Sequence, residues 1–167
     1  MKSILLLVVF AFLTVNAQSV LVVDQYGGGQ YITINAALTA AVAGDTIKVM
    51  PGIYSEYLNL NKKVHLLAMD TTAILDFNGN GVIIFSADGA SVQGFKIRRN
   101  VTISSGFKNI LLASNIVDSS SITANLGIGG AVIMNNKIRR GSLTVTNSGT
   151  EKILVYNNEF TGTPNAN

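Results

Sequence analysis

The chain has 167 residues, of which 12 are Lys or Arg and 9 are Asp or Glu, for a formal charge of +3. That length is room for one domain, and the charge is too weak to argue for nucleic acid or for electrostatic attachment to a membrane. Charged residues are 13% of the chain, about half the usual share, so Asn, Ser, Thr and Gly build the polar surface.

Residues 1–17 read as a secretory signal: Lys2, an apolar run from Ile4 to Leu13, then Val15-Asn16-Ala17 before the cut. The run is too short to span a bilayer, so no stable membrane insertion is expected. The mature domain is then 18–167, secreted to the cell surface or the medium, with the periplasm as an alternative. The chain has no Cys. A secreted domain without disulfides must rely on its core, which suits a bacterial product better than a small eukaryotic one.

Val20 to Val23 reads as a short strand. Gly27-Gly28-Gly29 is a loop and no phosphate cradle, since no Lys-Ser/Thr pair follows it. A helix is predicted around 33–43. Thr33 opens it, Ile34, Ala37, Leu38 and Ala41 share one face, and Gly44 stops it. Such a helix would cap a solenoid whose interior otherwise meets water. Next come Thr46-Ile47-Lys48-Val49, a turn at Pro51-Gly52, and Tyr54.

Three stretches here carry a family likeness: Tyr31-x-Thr33-Ile34-x-Ala36-Ala37, then Gly44-Asp45-Thr46-Ile47-x-Val49-x-Pro51-Gly52-x-Tyr54-x-Glu56, then Lys63-Val64-x-Leu66. They resemble the entry into right-handed β-helices of the pectin-lyase-like superfamily, and pectin methylesterases carry a similar Gly-x-Tyr-x-Glu. The resemblance covers Val20 to Ile97 and implies architecture rather than activity. An esterase of that kind is expected to bring paired Asp residues, oxyanion-binding Gln and an Arg within further motifs. The galacturonan hydrolases bring Asn-Thr-Asp, Asp-Asp and Gly-His-Gly. None of these motifs occurs, and Asp76-Phe77-Asn78-Gly79 is only a superficial echo.

His65, the only His, sits between Val64 and Leu66 and is expected on the surface. Asp76-x-Asn78-x-Asn80-Gly81 resembles the start of a calcium loop, but the closing position is Ala87. A polar turn is the simpler reading, so no cofactor is expected, with calcium the alternative.

From Ala90 onward the chain repeats itself. Ala90-x-Val92-x-x-Phe95-x-Ile97 is followed by Ile110-x-Leu112-x-x-Asn115-x-Val117, Ala131-x-Ile133-x-x-Asn136-x-Ile138 and Ile153-x-Val155-x-x-Asn158-x-Phe160, at offsets of 20, 21 and 22. Such a period marks a solenoid. Asn115, Asn136 and Asn158 should stack as a buried ladder, bonded to turn backbone and to each other. A second strand precedes each copy, at Val82-Ile83-Ile84, Val101-Thr102-Ile103, Ile122-Thr123-Ala124 and Leu143-Thr144-Val145. Its flanking residues should point inward and its middle residue outward. Gly106, Gly129 and Gly149 fall in the bends. The same apolar spacing occurs in leucine-rich repeats. There the return path is helical or irregular; here it carries an alternating strand, which favours an all-β parallel β-helix.

Two surface features could bind something. Lys96-Ile97-Arg98-Arg99 recurs as Lys137-Ile138-Arg139-Arg140. The register sets Asp118 between Arg98 and Arg139, sets Lys137 beside Glu159, and leaves Arg99 and Arg140 unpaired. A ladder of weak ion pairs is the plain reading; a cationic stripe for an acidic polysaccharide is the sharper one. The outward column Ser91, Leu111, Val132, Leu154, adjoined by Met134 and Tyr156, is unusually apolar and suggests a covered or ligand-binding face. After Phe160 nothing apolar remains to seal the last coil. Self-association there, or further chain beyond this sequence, is the expectation. Together these features indicate a non-catalytic carbohydrate-binding or structural surface module. The alternative is a polysaccharide lyase or esterase whose catalytic residues are unrecognised or lie in further chain.

Overall fold

The computed structural model describes residues 17–76, 82–126, 130–147, 149–150 and 152–162. The signal-like segment up to Asn16, residues 78–81 of the calcium-like stretch, Gly129 and the tail from Thr163 lie outside them. None of the described helices is long and apolar enough to cross a membrane.

The chain opens with β1 (Val20–Val23) and α1 (Ile34–Ala40), then winds a first coil through β2 (Thr46–Val49), β3 (Gly52–Tyr54) and β4 (Leu58–Leu60). The second coil carries β5 (His65–Ala68), β6 (Ala73–Leu75) and β7 (Val82–Phe85). The third carries β8 (Ser91–Gln93), β9 (Lys96–Ile97) and β10 (Asn100–Ile103). The fourth carries β11 (Ile110–Ala113), β12 (Ile116–Asp118) and β13 (Ile122–Leu126). The fifth carries β14 (Ala131–Met134), β15 (Lys137–Arg139) and β16 (Leu143–Asn147), before β17 (Ile153–Tyr156) and β18 (Glu159–Thr161) close the described chain.

Corresponding strands stack in parallel into three sheets, ordered β1-β2-β5-β8-β11-β14-β17, β3-β6-β9-β12-β15-β18 and β4-β7-β10-β13-β16. This is a parallel β-helix. The return path carries strands, which separates it from a leucine-rich horseshoe. A coil has three strands rather than the two legible in the repeat. The last apolar position of each copy (Ile97, Val117, Ile138, Phe160) lies beyond a corner, on a sheet of its own.

Each strand sends alternate side chains inward. In the first sheet Ile47, Leu66, Val92, Leu112 and Ile133 stack in one fully buried column. Burying such a side chain contributes roughly 1.5–3 kcal/mol. In the last described strands Val145, Val155 and Phe160 are exposed at inward positions. The outward Thr102, Thr123 and Thr144 stand in register as expected. One strand is shifted from expectation: Val101 pairs Ile83 rather than Val82, so Ile83 and Phe85 point inward and Ile84 outward. Phe85 is completely buried, and seating that ring sets the register.

The helix covers the entrance. Thr33 caps it by accepting from the Ala36 amide at 3.2 Å. It stops at Ala40, earlier than the predicted 43, because Ala41 is extended and buried. Gly52 begins a strand rather than finishing a turn. The Gly52-x-Tyr54-x-Glu56 stretch serves packing. The Tyr54 hydroxyl donates to the Met50 carbonyl at 2.9 Å. Glu56 accepts from the amides of Ile34 and Asn35, each at 2.8 Å, and so ties the cap to the first coil.

Candidate functional site

The corners decide where polar side chains gather. Between the first and second sheets a left-handed residue recurs: Gly94, Ser114, Asn135 and Asn157 all have positive φ. The next residue in each coil is Phe95, Asn115, Asn136 or Asn158. The amide of Phe95 donates to Asn115 Oδ1 at 3.0 Å, that of Asn115 to Asn136 Oδ1 at 3.0 Å, and that of Asn136 to Asn158 Oδ1 at 3.0 Å. Their Nδ2 groups donate to the carbonyls of Val92, Leu112 and Ile133. The ladder is therefore present, starts one coil after Phe95, and is structural.

The corner after the second sheet has its own left-handed column: Ser119, Arg140 and Gly162, with φ of 56°, 51° and 69°. Small residues suit this conformation, and a long L-residue there stores strain, roughly 1–2 kcal/mol. Gly141 follows Arg140, and a Cβ on it would fall 1.8 Å from the Ser120 carbonyl oxygen. The corner is thus pressed against the coil before it, and the Arg140 side chain reaches back across that coil.

Asp76, Arg98, Arg99, Asp118, Ser119 and Arg140 line one cleft of about 350 Å³ on this edge. Rows alternate in sign: Asp76, then the Lys96–Arg99 row, then Asp118, then Lys137–Arg140, then Glu159. Arg98 Nη1 lies 3.0 Å from Asp76 Oδ2, and Arg99 Nη2 lies 3.1 Å from Asp76 Oδ1. Arg140 Nη2 lies 2.6 Å from Asp118 Oδ1, with Lys96 Nζ 3.8 Å from the other oxygen. Arg140's hydrogen bond, helped by the charges of Arg140, Lys96 and Arg139, holds the Asp118 carboxyl below the usual carboxylate range against the opposing effect of burial. Arg99 Nε is buried without a hydrogen-bond partner among the described residues.

These pairings correct the sequence-based ladder. Asp118 faces Arg139 across the sheet, yet it bonds Arg140, and Arg98 turns to Asp76 instead. Arg99 and Arg140 are paired, not free. Backbone register fixes which Cα atoms are neighbours, but a guanidinium can choose the acid of the coil on either side, or one a residue along. The Lys137–Glu159 pair forms as expected, at 2.7 Å.

The apolar column is graded. Ser91 is buried, Leu111 and Val132 are half-buried, and Leu154 is exposed. Val132 and Leu154 line a shallow cleft of about 370 Å³ with Asn109, Thr150 and Lys152. Met134 is half-buried and accepts a hydrogen bond at Sδ from the exposed Tyr156 hydroxyl at 2.7 Å. His65 is half-buried rather than simply exposed, its Nδ1 3.0 Å from the Ser91 hydroxyl. Among the described residues no three His, Asp or Glu side chains gather as a metal site. Asp76, which begins the calcium-like stretch, is engaged by two arginines. Searches against protein-family models, curated proteins and solved structures give no match to this chain.

Proposed function

We propose that the chain is a secreted β-helix module of the pectin-lyase-like kind that holds an acidic, hydroxyl-rich polysaccharide in the arginine–aspartate cleft, without turning it over. The observation that carries this reading is the buried Nε of Arg99, without a partner among the described residues, in a cleft made of guanidinium and carboxylate groups and the Ser119 hydroxyl. A buried donor without an acceptor is costly, and rotation of the partly exposed Arg99 side chain would bring it to a ligand oxygen. Guanidinium groups recognise carboxylates by paired hydrogen bonds, and Asp76 and Asp118 can accept from sugar hydroxyls. A polymer crossing the coils would meet donor and acceptor rows in turn. The strained backbone of Arg140 supports a role beyond packing.

Binding is favoured over lyase or esterase chemistry because both carboxylates beside Ser119, Asp76 and Asp118, are held by arginines, which leaves neither free to act as its general base. The signal-like residues 1–17 support export, and the exposed Leu154 and Tyr156 support a second contact surface.

Calorimetric titration of the 18–167 protein with tetragalacturonate tests the reading, with maltotetraose as the neutral control. Saturable binding that is lost in the Arg99→Ala, Arg140→Ala double variant is expected. Equal heats for wild type and double variant would reject the cleft, and release of unsaturated or shortened product would reject the non-catalytic reading.

A further inference from the structure

A second groove lies at the other end of the molecule, between α1 and the first coil. It holds about 340 Å³ and is lined by Asn35, Leu38, Thr39, Tyr57, Asn59 and Asn61, with Lys62 alongside. That volume is in the range of small-ligand sites. Its walls are pinned. Asn35 Nδ2 donates to the Tyr57 carbonyl at 3.1 Å, and Lys62 Nζ donates to the carbonyls of Leu38, Thr39 and Ala41 at 3.0, 3.0 and 2.9 Å.

The chemistry differs from that of the arginine cleft. An ammonium has three protons, and Lys62 uses all three on the end of α1. The groove's ammonium is thus committed to structure, and its other lining groups are uncharged. The remaining polar groups are underused. Asn59 accepts from the Ser86 hydroxyl through Oδ1, leaving its Nδ2 available. Thr39 donates to the Asn35 carbonyl and can still accept. Neither the Tyr57 hydroxyl nor the Asn61 side chain has a partner among the described residues. Tyr57 is 44% exposed, and the buried Leu38 gives the groove an apolar patch.

We infer that this groove is a subsite for a neutral pyranose unit, with the Tyr57 ring against a sugar face and the amides of Asn59 and Asn61 on its hydroxyls. A phenol presents an apolar body and a polar tip, and side-chain amides both donate and accept, as sugar hydroxyls require. An anionic ligand would find no uncommitted cation there. The inference stands apart from the proposed function, since the two sites share no residue.

Saturation-transfer NMR of the 18–167 protein with cellohexaose, mannohexaose and xylohexaose tests it. Transfer to the ring protons of at least one is expected. Tyr57→Ala should weaken that binding by about tenfold or more, Tyr57→Phe should keep most of it, and Arg140→Ala should leave it unchanged. Asn61→Ala, at an exposed position, provides a second variant should Tyr57→Ala fail to fold, and it should also weaken binding. The inference is overturned if no neutral hexasaccharide receives transfer, if Tyr57→Ala and Asn61→Ala both bind as wild type, or if binding is lost in Arg140→Ala alone. Absence of tetragalacturonate binding by the wild-type protein, with neutral binding intact, would count against the arginine cleft only.

Discussion

Replacing Asn136 by Leu removes the middle rung of the ladder. Asn136 is 1% exposed. Its Oδ1 accepts from Asn115 N at 3.0 Å and Asn115 Nδ2 at 3.1 Å, while its Nδ2 donates to the Leu112 carbonyl at 2.9 Å and to Asn158 Oδ1 at 3.0 Å. After substitution Asn115 Nδ2 keeps its bond to Val92, but the Asn115 amide and the Leu112 carbonyl lose these partners. Orphaning a buried polar group costs about 1–3 kcal/mol, so the variant should lose roughly 2–5 kcal/mol. Urea denaturation reads the total, and hydrogen exchange reads the location: the Asn115 amide should lose protection while that of Phe95, held by Asn115 Oδ1, keeps most of its own. An Asn115→Leu, Asn136→Leu double variant should fall short of additivity, because the two share bonds. A wild-type denaturation midpoint with an equally protected Asn115 amide would refute the argument.

Four further outcomes are expected. Arg140→Gly relieves the left-handed strain while losing an exposed ion pair of about 0–1 kcal/mol, so its stability should stay within about 1 kcal/mol of wild type; tetragalacturonate binding should nevertheless collapse, and a large stability loss in urea would contradict this. In a carboxyl NMR titration Asp118 should titrate below its ordinary 3.8 and move upward in Arg140→Ala. The unfolded chain then binds protons first, so the stability Asp118 supplies above the unfolded value fades as pH falls through the native one; a higher-than-ordinary value would reverse the sign. Glu56→Ala should cost about 1–2 kcal/mol in urea denaturation by uncapping α1, and an unchanged midpoint would show that the cap is held otherwise. If the 18–167 protein self-associates in sedimentation, Val155→Ser with Phe160→Ser should reduce it, since both are exposed apolar side chains; identical profiles would remove that role.

The solenoid was legible because its period is written in apolar spacing. Leu112 and Ile133 occupy equivalent positions and equivalent space, and the Asn column follows the same count. The second sheet was less visible, because Lys96 and Ile97 form only a two-residue strand. Ile83 and Ile84 were assigned to the wrong faces because the ring of Phe85, one residue further on, takes an inward place, which spacing alone does not reveal. At the cleft, the rows Lys96–Arg99 and Lys137–Arg140 and the acid Asp118, all legible in the sequence, come together. Sequence alone missed Asp76 as their second partner, since that residue looked like the start of a polar turn. It also missed the left-handed backbone at Arg140, which nothing in Arg itself signals. The cap groove was invisible because Asn35 and Asn59 come together only when the helix folds onto the first coil.

Binding of a carboxylated sugar in the arginine–aspartate cleft should be read at the Nε–Hε resonances of its arginines. On titration with tetragalacturonate, the Arg99 and Arg140 signals should shift saturably and together, with Arg99 moving most because its Nε gains a first partner. Maltotetraose should leave both in place. Arginine shifts no larger than those produced by sodium chloride of equal ionic strength would contradict the account.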